Sequence, residues 1–260
     1  MNRKFSFMAV VLGTSLLAGC HGGKEKTATS TPAVPTTKTI VILLDKTASV
    51  KDQNGVFKTA IRKIVGSMKG GDTLRLAEIT GASSADFDFV VRTTLPKDPV
   101  YNALTTNMSE YRDAVAKLKE ERKKMTDETI AKIDDELAKK PTAMTTDLFG
   151  AITTAGLYLS ERHNNKYLVI LSDMIEEDSN WRFNHVRWTT KLTDKIIKKE
   201  KDLGLIANLK NVNVYVVGAR GANLSVMQHV RFFWAQYFKL AQANFNPAHY
   251  AHALLEWNVK

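Results

Sequence analysis

The sequence predicts an α/β fold: a doubly wound, mostly parallel central sheet with a long charged helical insertion after the third strand. Two observations lead to this class. Apolar runs of strand length alternate along the chain with amphipathic segments of helix length, the pattern of strand–helix–strand units that build a parallel sheet. Several of these runs are apolar at nearly every position, as strands covered by helices on both faces must be.

The chain begins with the pattern of an export signal. Arg3 and Lys4 precede an apolar stretch, residues 5–17, that is too short to span a bilayer. The stretch ends in Leu-Ala-Gly-Cys at Cys20, the only cysteine of the chain, and this ending resembles the lipobox of bacterial lipoproteins. An ordinary signal peptide with an incidental cysteine is the alternative.

The lipobox resemblance implies a lipoprotein signal peptide over residues 1–19 and acyl chains, palmitate among them, on Cys20. Several acyl chains anchor a protein stably, whereas one holds it only marginally. His21, rather than an aspartate, follows the cysteine, which implies sorting to the outer membrane, facing the periplasm. The inner membrane stays open as an alternative. With Cys20 lipidated, no thiol is left for a disulfide.

Residues 20–37 predict a lipidated cysteine followed by a flexible tether, because the segment is rich in Lys, Thr, Ser and Pro and has no apolar periodicity. Residues 38–260 are long enough for one domain with a full core. The net charge is +10, and loss of Arg3 and Lys4 with the signal peptide would leave +8. No second membrane span is expected.

Five runs predict strands, and a weaker sixth is expected near 249–256. The five runs are residues 39–44, 72–79, 86–94, 167–172 and 212–217. The 86–94 run alternates between apolar and polar residues, so we expect it to lie antiparallel at one edge of the sheet.

Four amphipathic segments predict the helices that cover the sheet. They are residues 56–68, 147–160, 187–203 and 224–242. Each repeats apolar residues at three- and four-residue spacing, which places one apolar face toward the sheet.

The insertion, residues 109–140, consists almost entirely of helix-forming residues with basic and acidic side chains in balance, and Pro141 closes it. Its sparse apolar stripe predicts one long helix or a helical hairpin. Two roles are open: a solvated helix packed loosely on the domain, or an arm that binds a partner. The balanced charge disfavours a nucleic-acid role.

A cluster of oxygen-bearing side chains follows the first strand. Asp45, Thr47 and Ser49 occupy alternate positions just after the apolar run 39–44. Ligand sites of open α/β sheets lie at the carboxyl ends of such strands. Hard oxygen ligands of this kind suit Mg²⁺ better than a soft metal.

Two further motifs join this cluster: Met-Thr-Thr-Asp-Leu-Phe-Gly-Ala-Ile over 144–152, which opens a helix, and Ser172-Asp173, which closes a buried strand. With these motifs, residues 38–256 resemble the von Willebrand factor A (VWA) family, a Rossmann-like fold. That family carries a metal-ion-dependent adhesion site (MIDAS), built from Asp-x-Ser-x-Ser, a distant threonine and a Ser-Asp-Gly turn.

The resemblance implies a metal site with Thr47 and Ser49 as direct ligands and with Asp45 and Asp173 acting through water. Thr146 would be the loop ligand, with Thr145 as the fallback. The implied cofactor is Mg²⁺, or Mn²⁺ or Ca²⁺, and a free coordination position would accept an acidic residue of a protein partner.

Three features depart from the family pattern. Thr47 replaces the first serine but keeps its hydroxyl, Met174 replaces the glycine after Asp173, and the insertion precedes the Thr146 loop. A degenerate site, in which Asp45 and Asp173 only cap helices and satisfy loop amides, is therefore the alternative. Binding would then involve the insertion or a basic helix.

A rival interpretation makes Asp45 a nucleophile, because Asp-Lys-Thr also resembles the aspartyl-phosphate motif of haloacid-dehalogenase-like phosphotransferases. Those enzymes carry a second aspartate where this chain has Thr47, and no other catalytic motif is present. We therefore expect no enzyme activity and no small-molecule substrate.

The excess positive charge is concentrated in residues 182–201, which hold seven Lys or Arg against two acids. Lys191, Lys195, Lys198 and Lys199 lie on the 187–203 helix, opposite its apolar face. They form either a solubilising face or a patch for an anionic partner. Nucleic acid is disfavoured because no DNA-binding motif is present.

An acidic and aromatic loop, residues 175–187, follows Asp173. Exposed rings there would favour a protein contact, but we expect them to be buried beneath the insertion as packing. Taken together, the sequence predicts a lipid-anchored envelope protein that binds or scaffolds other proteins through a divalent cation. A secretion or conjugation apparatus is one assembly of this class.

Overall fold

Six strands form one sheet in the order β3-β2-β1-β4-β5-β6, in which β3 runs antiparallel to β2 and every other pair is parallel. The computed structural model describes residues 37–102, 104–141 and 143–257. The strands are β1 (Lys38–Asp45), β2 (Thr73–Ile79), β3 (Phe89–Thr94), β4 (Asn165–Leu171), β5 (Val212–Val217) and β6 (Asn244–Ala251). The order reverses between β1 and β4, as in doubly wound sheets.

Six helices connect the strands, and a short 3-10 helix (Ala48–Gln53) leads from β1 into the first of them. They are α1 (Asn54–Gly66), α2 (Ser83–Asp86), α3 (Met108–Ala138), α4 (Leu148–Ser160), α5 (Thr190–Asp202) and α6 (Leu224–Leu240). None of the helices in the described ranges is long and apolar enough to cross a membrane. The predicted signal peptide, lipidation site Cys20 and most of the predicted tether lie outside these ranges.

The fold class predicted from sequence is confirmed, including the antiparallel edge position of β3. The weak sixth strand lies earlier than expected, because β6 covers Asn244–Ala251 rather than 249–256. It is mostly exposed and contains Pro247, which an edge strand tolerates because one side needs no ladder hydrogen bonds. Its apolar signal is correspondingly faint.

The sheet separates two apolar cores, which explains why β1 is apolar throughout. Val41 and Leu43 point to the face covered by α4 and α6, whereas Ile40, Ile42 and Leu44 point to the face covered by α1 and α3. All five side chains are fully buried. Burial of both faces anchors β1 at the centre of the sheet and holds its carboxyl end, where the oxygen cluster begins.

The insertion forms one continuous helix, α3, of 31 residues and not a hairpin. Only Thr129, Ile133 and Leu137 of this helix are buried. A hydrogen bond of 2.7 Å joins the Thr129 and Thr93 hydroxyls, and Asp134 forms ion pairs with α1. The second half of α3 is therefore part of the domain, while most of its first half is exposed.

Candidate metal centre

Asp45 is the most tightly held side chain of the candidate site. Its Oδ1 accepts hydrogen bonds from the Thr47 backbone N–H at 2.9 Å and the Thr47 hydroxyl at 2.7 Å. Its Oδ2 accepts a hydrogen bond from the Ser172 hydroxyl at 2.7 Å. Because β1 and β4 are neighbours, their carboxyl ends bring Asp45 and Ser172 together. Ser172, noted in the sequence only as a strand end, thus orients the first carboxylate.

The two hydroxyls predicted as direct ligands lie side by side, with Thr47 Oγ1 and Ser49 Oγ 3.0 Å apart. Ser49 and Asp173 line one cleft. Asp45, Thr47 and Asp173 are buried, whereas Ser49 is exposed. Hydrogen bonds thus join Asp45, Thr47 and Ser49 into one network that is open at Ser49, and Asp173 lies beside it.

The turn after β4 holds Asp173 with backbone geometry that glycine normally supplies. Met174 has φ of 65°, the left-handed region that favours glycine. Its N–H donates to the Ser172 hydroxyl at 2.9 Å, and its carbonyl accepts from the indole of Trp234 at 2.9 Å. These two hydrogen bonds therefore hold a methionine in a backbone conformation that favours glycine.

The Thr145–Thr146 loop reaches the site through a bridge to the segment after Asp173. Thr146 exchanges backbone hydrogen bonds of 2.7 and 3.2 Å with Glu177. Thr146 is buried, whereas Thr145 is exposed and its hydroxyl lies against Gly81. This placement favours Thr146 over Thr145 as the loop ligand, and the ligand role itself stays a prediction.

The start of α4, next to Thr146, is fixed by two carboxylates. Asp147 caps the helix by accepting from the Gly150 N–H at 2.7 Å, and it also accepts from the Ser84 N–H at 3.0 Å. Glu176 accepts from the Leu148 N–H at 2.8 Å. Complete burial raises the pKa of Glu176 well above its usual range. These contacts hold the loop rigidly beside the network.

The two site carboxylates stand in a poorly solvated position. Burial, and secondarily the charge of Asp45, raises the pKa of Asp173 to about 6. Burial also raises the pKa of Asp45, against the lowering effect of its hydrogen bonds from Ser172 and Thr47. A cation between two carboxylates in a poorly solvated site would stabilise their charged forms. Protons would compete with such a cation as the pH falls through about 6.

The donor set fits a hard divalent cation. No group of three or more His, Cys, Asp or Glu able to hold a metal occurs among the described residues. The candidate site instead offers two carboxylates and two hydroxyls, oxygen donors that suit Mg²⁺, Mn²⁺ or Ca²⁺. Asp45 and Asp173 also accept loop amides, the role that the degenerate-site alternative gives them.

Arg220 is a residue of the site that the sequence analysis missed. Its guanidinium binds Asp52 at 2.8 Å and the Ser49 carbonyl, and it lines a cleft of about 370 Å³ together with Ser49, Asp173 and Asn184. The side-chain oxygen of Asn184 is buried and has no hydrogen-bond partner among the described residues. The available signal was position, because Arg220 follows the carboxyl end of β5, beside β4.

Lys46, between Asp45 and Thr47, links the metal motif to the insertion. Its ammonium donates to the carbonyls of Glu136 and, at 2.9 Å, Lys139 at the end of α3. A helix end leaves four carbonyls without intrahelical partners. Lys46 binds one of them, that of Glu136, and also the carbonyl of the capping residue Lys139. The insertion therefore ends against the site itself.

The predicted basic patch on α5 is partly occupied by internal contacts. Lys191, Lys195 and Lys198 are exposed. Lys199 is half-buried, donates to the side chain of Asn180 at 2.5 Å and lies over the ring of Trp181. The patch thus has three solvent-facing lysines rather than four, and its role stays a prediction.

The aromatic loop after Asp173 is mostly packing, as expected, but not beneath the insertion. Phe183 and Trp181 are buried. The Phe183 ring lies 5.1 Å from that of Phe233 on α6, and 6.3 Å from that of Phe149 on α4. The indole of Trp181 donates to Glu200 of α5 at 2.6 Å. The loop therefore joins these helices to the site and offers little apolar surface to a partner.

No protein-family model and no curated protein matches the chain, whereas solved structures do. The von Willebrand factor type A protein of Catenulispora acidiphila aligns with 11% identity and a TM-score of 0.43, over 82% of this chain and 40% of its own. The pilus adhesin SpaC of Lactobacillus rhamnosus GG, in its open conformation, aligns with 14% identity and a TM-score of 0.45, over 83% and 28%. The ArnB paralog VWA2 of Sulfolobus acidocaldarius aligns with 13% identity and a TM-score of 0.39, over 84% and 41%.

The chain spans less than half the length of each of these structures. At such identities the similarity concerns the fold alone and extends to no ligand or partner. The strand order and the position of the oxygen cluster at the carboxyl ends of β1 and β4 are features of this chain itself. This strand order makes the chain an α/β protein with a doubly wound, mostly parallel sheet and one antiparallel edge strand.

Proposed function

We propose that this chain is a protein-binding module of the bacterial envelope that captures an acidic side chain of its partner through a divalent cation. One observation carries the proposal: Asp45, Thr47, Ser49 and Asp173 gather at one edge of the sheet, where hydrogen bonds join the first three and Asp173 lines the same cleft as Ser49. Hydroxyls and carboxylates gathered at this edge are suited to cation binding. The exposed Ser49 leaves a side from which a partner can approach.

Each residue has a role that follows from its contacts. Thr47 and Ser49 would bind the cation directly, with Thr146 completing the set from the loop before α4. Asp45 accepts a hydrogen bond from the Thr47 hydroxyl, which turns the lone pairs of that hydroxyl outward. Ser172 in turn donates a hydrogen bond that keeps Asp45 in place. A bound Mg²⁺, Mn²⁺ or Ca²⁺ supplies positive charge that a partner carboxylate can share.

We propose binding rather than catalysis at this site. A nucleophilic aspartate needs a free oxygen in reach of its substrate. Asp45 is 2% exposed, and both its oxygens accept hydrogen bonds. An orienting role fits this position better than attack on a phosphate. The proposal therefore includes no small-molecule substrate.

The envelope location is part of the proposal and is supported by the lipobox-like ending at Cys20. We propose a lipid anchor in the outer membrane with the domain in the periplasm. Scaffolding in an envelope assembly, such as a secretion or conjugation apparatus, would suit a tethered binding domain.

Calorimetric titration of Mg²⁺ and Mn²⁺ into the purified full chain at pH 7.5 tests the metal centre. We expect one binding site in the wild type and none in Asp45→Ala. Asp88→Ala is the matched control, because Asp88 is an exposed aspartate just before the edge strand, and it should bind like the wild type. Absence of binding to the wild type, or equal binding in Asp45→Ala, would contradict the proposed site.

A further inference from the structure

A second cleft, of about 510 Å³, adjoins the candidate site at Asp45 and Thr47. We call it the lysine cleft. It lies between the 3-10 helix and the end of α3, and its lining includes Val50, Lys51, Leu137, Lys139, Lys140 and Pro141, together with Asp45 and Thr47. The cleft is thus continuous with the proposed site.

The insertion builds one wall of this cleft, and two hydrogen-bonding residues fix that wall. Lys46 holds the carbonyls of Glu136 and Lys139. The side-chain amide of Asn54, at the start of α1, donates to the Leu137 carbonyl at 3.1 Å. The end of α3 is therefore rigidly placed beside the metal motif, which gives the insertion a role in shaping the site.

Basic side chains outnumber acidic ones among the lining residues, although Glu78, Glu136 and Asp135 nearby offset the charges of Lys46 and Lys139. Lys51 and Lys140 are exposed and form no ion pair within the described part of the chain, whereas Lys139 pairs with Glu136 at 2.6 Å. Asp45 is the one carboxylate among the lining residues, and its oxygens are engaged by Thr47 and Ser172. The cleft therefore attracts anions and repels cationic segments.

The lining of the cleft is partly apolar, since Ala48, Ala138 and Pro141 contribute to it and are exposed, whereas Val50 and Leu137 are buried. A volume of about 510 Å³ is within the range of pockets that enclose a small ligand or a few side chains, about 300–1,000 Å³. The cleft thus combines apolar lining with a cationic rim. A peptide of acidic residues around one apolar side chain matches both properties.

We propose that the partner of this chain presents such an acidic segment, and that it lies in the lysine cleft with one of its carboxylates at the metal centre. This inference rests on the proposed function and names the partner chemistry that the same site selects. Lys51 and Lys140 contact the additional carboxylates, and the apolar residue packs against the exposed apolar lining, Ala48, Ala138 and Pro141.

Fluorescence anisotropy with the full chain at saturating Mg²⁺ tests the inference. The probe is the fluorescein-labelled peptide Glu-Asp-Leu-Asp-Glu, and its matched control is the amide peptide Gln-Asn-Leu-Asn-Gln. We compare the double variant Lys51→Glu/Lys140→Glu with Lys117→Glu/Lys119→Glu. The second pair makes the same charge change at exposed positions of α3, about 30 Å along the helix from its end.

We expect the acidic peptide to bind and the amide peptide to fail. Reversal at Lys51 and Lys140 should weaken binding about tenfold, because it replaces two attractive charges with repulsive ones. Reversal at Lys117 and Lys119 should change affinity less than about twofold. Equal affinity in both double variants, or no binding of the acidic peptide to the wild type at millimolar protein, would overturn the inference.

Two further readouts separate this inference from the proposed function. Calorimetric Mg²⁺ titration and thermal unfolding of each variant show whether the metal centre and the fold are intact. Unchanged peptide affinity in Lys51→Glu/Lys140→Glu with chelator-sensitive binding would reject the cleft and retain the metal centre. Binding that persists in chelator but is lost in Lys51→Glu/Lys140→Glu would retain the cleft and reject the metal-dependent mechanism.

Discussion

At the residue scale, Met174 shows how the turn after β4 tolerates the loss of the glycine typical of the resembled family. Its positive φ of 65° costs a residue with a Cβ about 1–2 kcal/mol. Its side chain is fully buried against the α4–α6 core. Apolar burial of that size stabilises by about 1.5–3 kcal/mol, which offsets the strain. Hydrogen bonds from Trp234 and to Ser172 impose the conformation.

This balance predicts an unusual order of stability for two substitutions at one site. Met174→Ala should destabilise the fold by about 3 kcal/mol, because it loses the side chain and keeps the strain. Met174→Gly should be about 1 kcal/mol less destabilising, because glycine adopts positive φ freely. Urea unfolding of both variants measures the difference.

Ile133 supplies the matched control for this order. It lies within the regular helix α3, where glycine is less favourable than alanine by about 1 kcal/mol. Ile133→Gly should therefore be more destabilising than Ile133→Ala. If Met174→Gly were also more destabilising than Met174→Ala, the positive φ of Met174 would carry no strain.

At the element scale, α3 is one helix with two different environments. Its second half buries Ile133 and Leu137 and forms the Thr129–Thr93 hydrogen bond. In its first half, Val115 is 37% exposed, and Arg122 is held by the Pro96 carbonyl and Asp98. The second half shapes the metal centre, and the first half extends from the domain as a charged arm.

The two environments predict different responses to side-chain truncation. Ile133→Ala should destabilise the fold by about 2–4 kcal/mol, because it leaves a cavity between α3 and the sheet. Val115→Ala should change stability by less than about 0.5 kcal/mol. Chemical denaturation measures both. A large effect of Val115→Ala would mean that the first half packs on the domain as firmly as the second.

At the scale of the whole molecule, β1 connects the entry of the chain to the candidate site. The chain enters the sheet at Lys38, and Asp45 lies at the other end of the same strand, about 23 Å away at 3.3 Å per residue. The chain therefore enters the sheet at the end of β1 opposite the candidate site.

Substitution of the predicted lipidation site tests the anchor. In cells that process lipoproteins, the wild-type chain should fractionate with the outer membrane, because several acyl chains hold a protein there stably. Cys20→Ser should release it into the soluble fraction. His21→Asp is the companion variant and should move the chain to the inner membrane. Retention of Cys20→Ser in the membrane fraction would contradict lipid anchoring at this cysteine.

The sequence alone determined the strand pattern and the two carboxylates of the candidate site. This was possible because burial on both faces requires continuous apolar runs such as 39–44, and because parallel strands bring their carboxyl ends to one edge. Asp45 and Asp173 could thus be assigned to one site although 128 positions separate them in the sequence. The local sequence pattern was enough to place a site residue wherever that residue follows a regular strand.

Only the tertiary structure decided the features that depend on contacts between distant segments. The backbone bridge to Glu177 distinguishes Thr146 from Thr145. Contacts with α1 and β3 dock the second half of α3, whose helix-forming sequence alone left a hairpin open. The lysine cleft exists because Lys46 reaches the carbonyls at the end of α3. Such contacts join loops and helix ends that are distant in the sequence, and no hydrophobic periodicity predicts them.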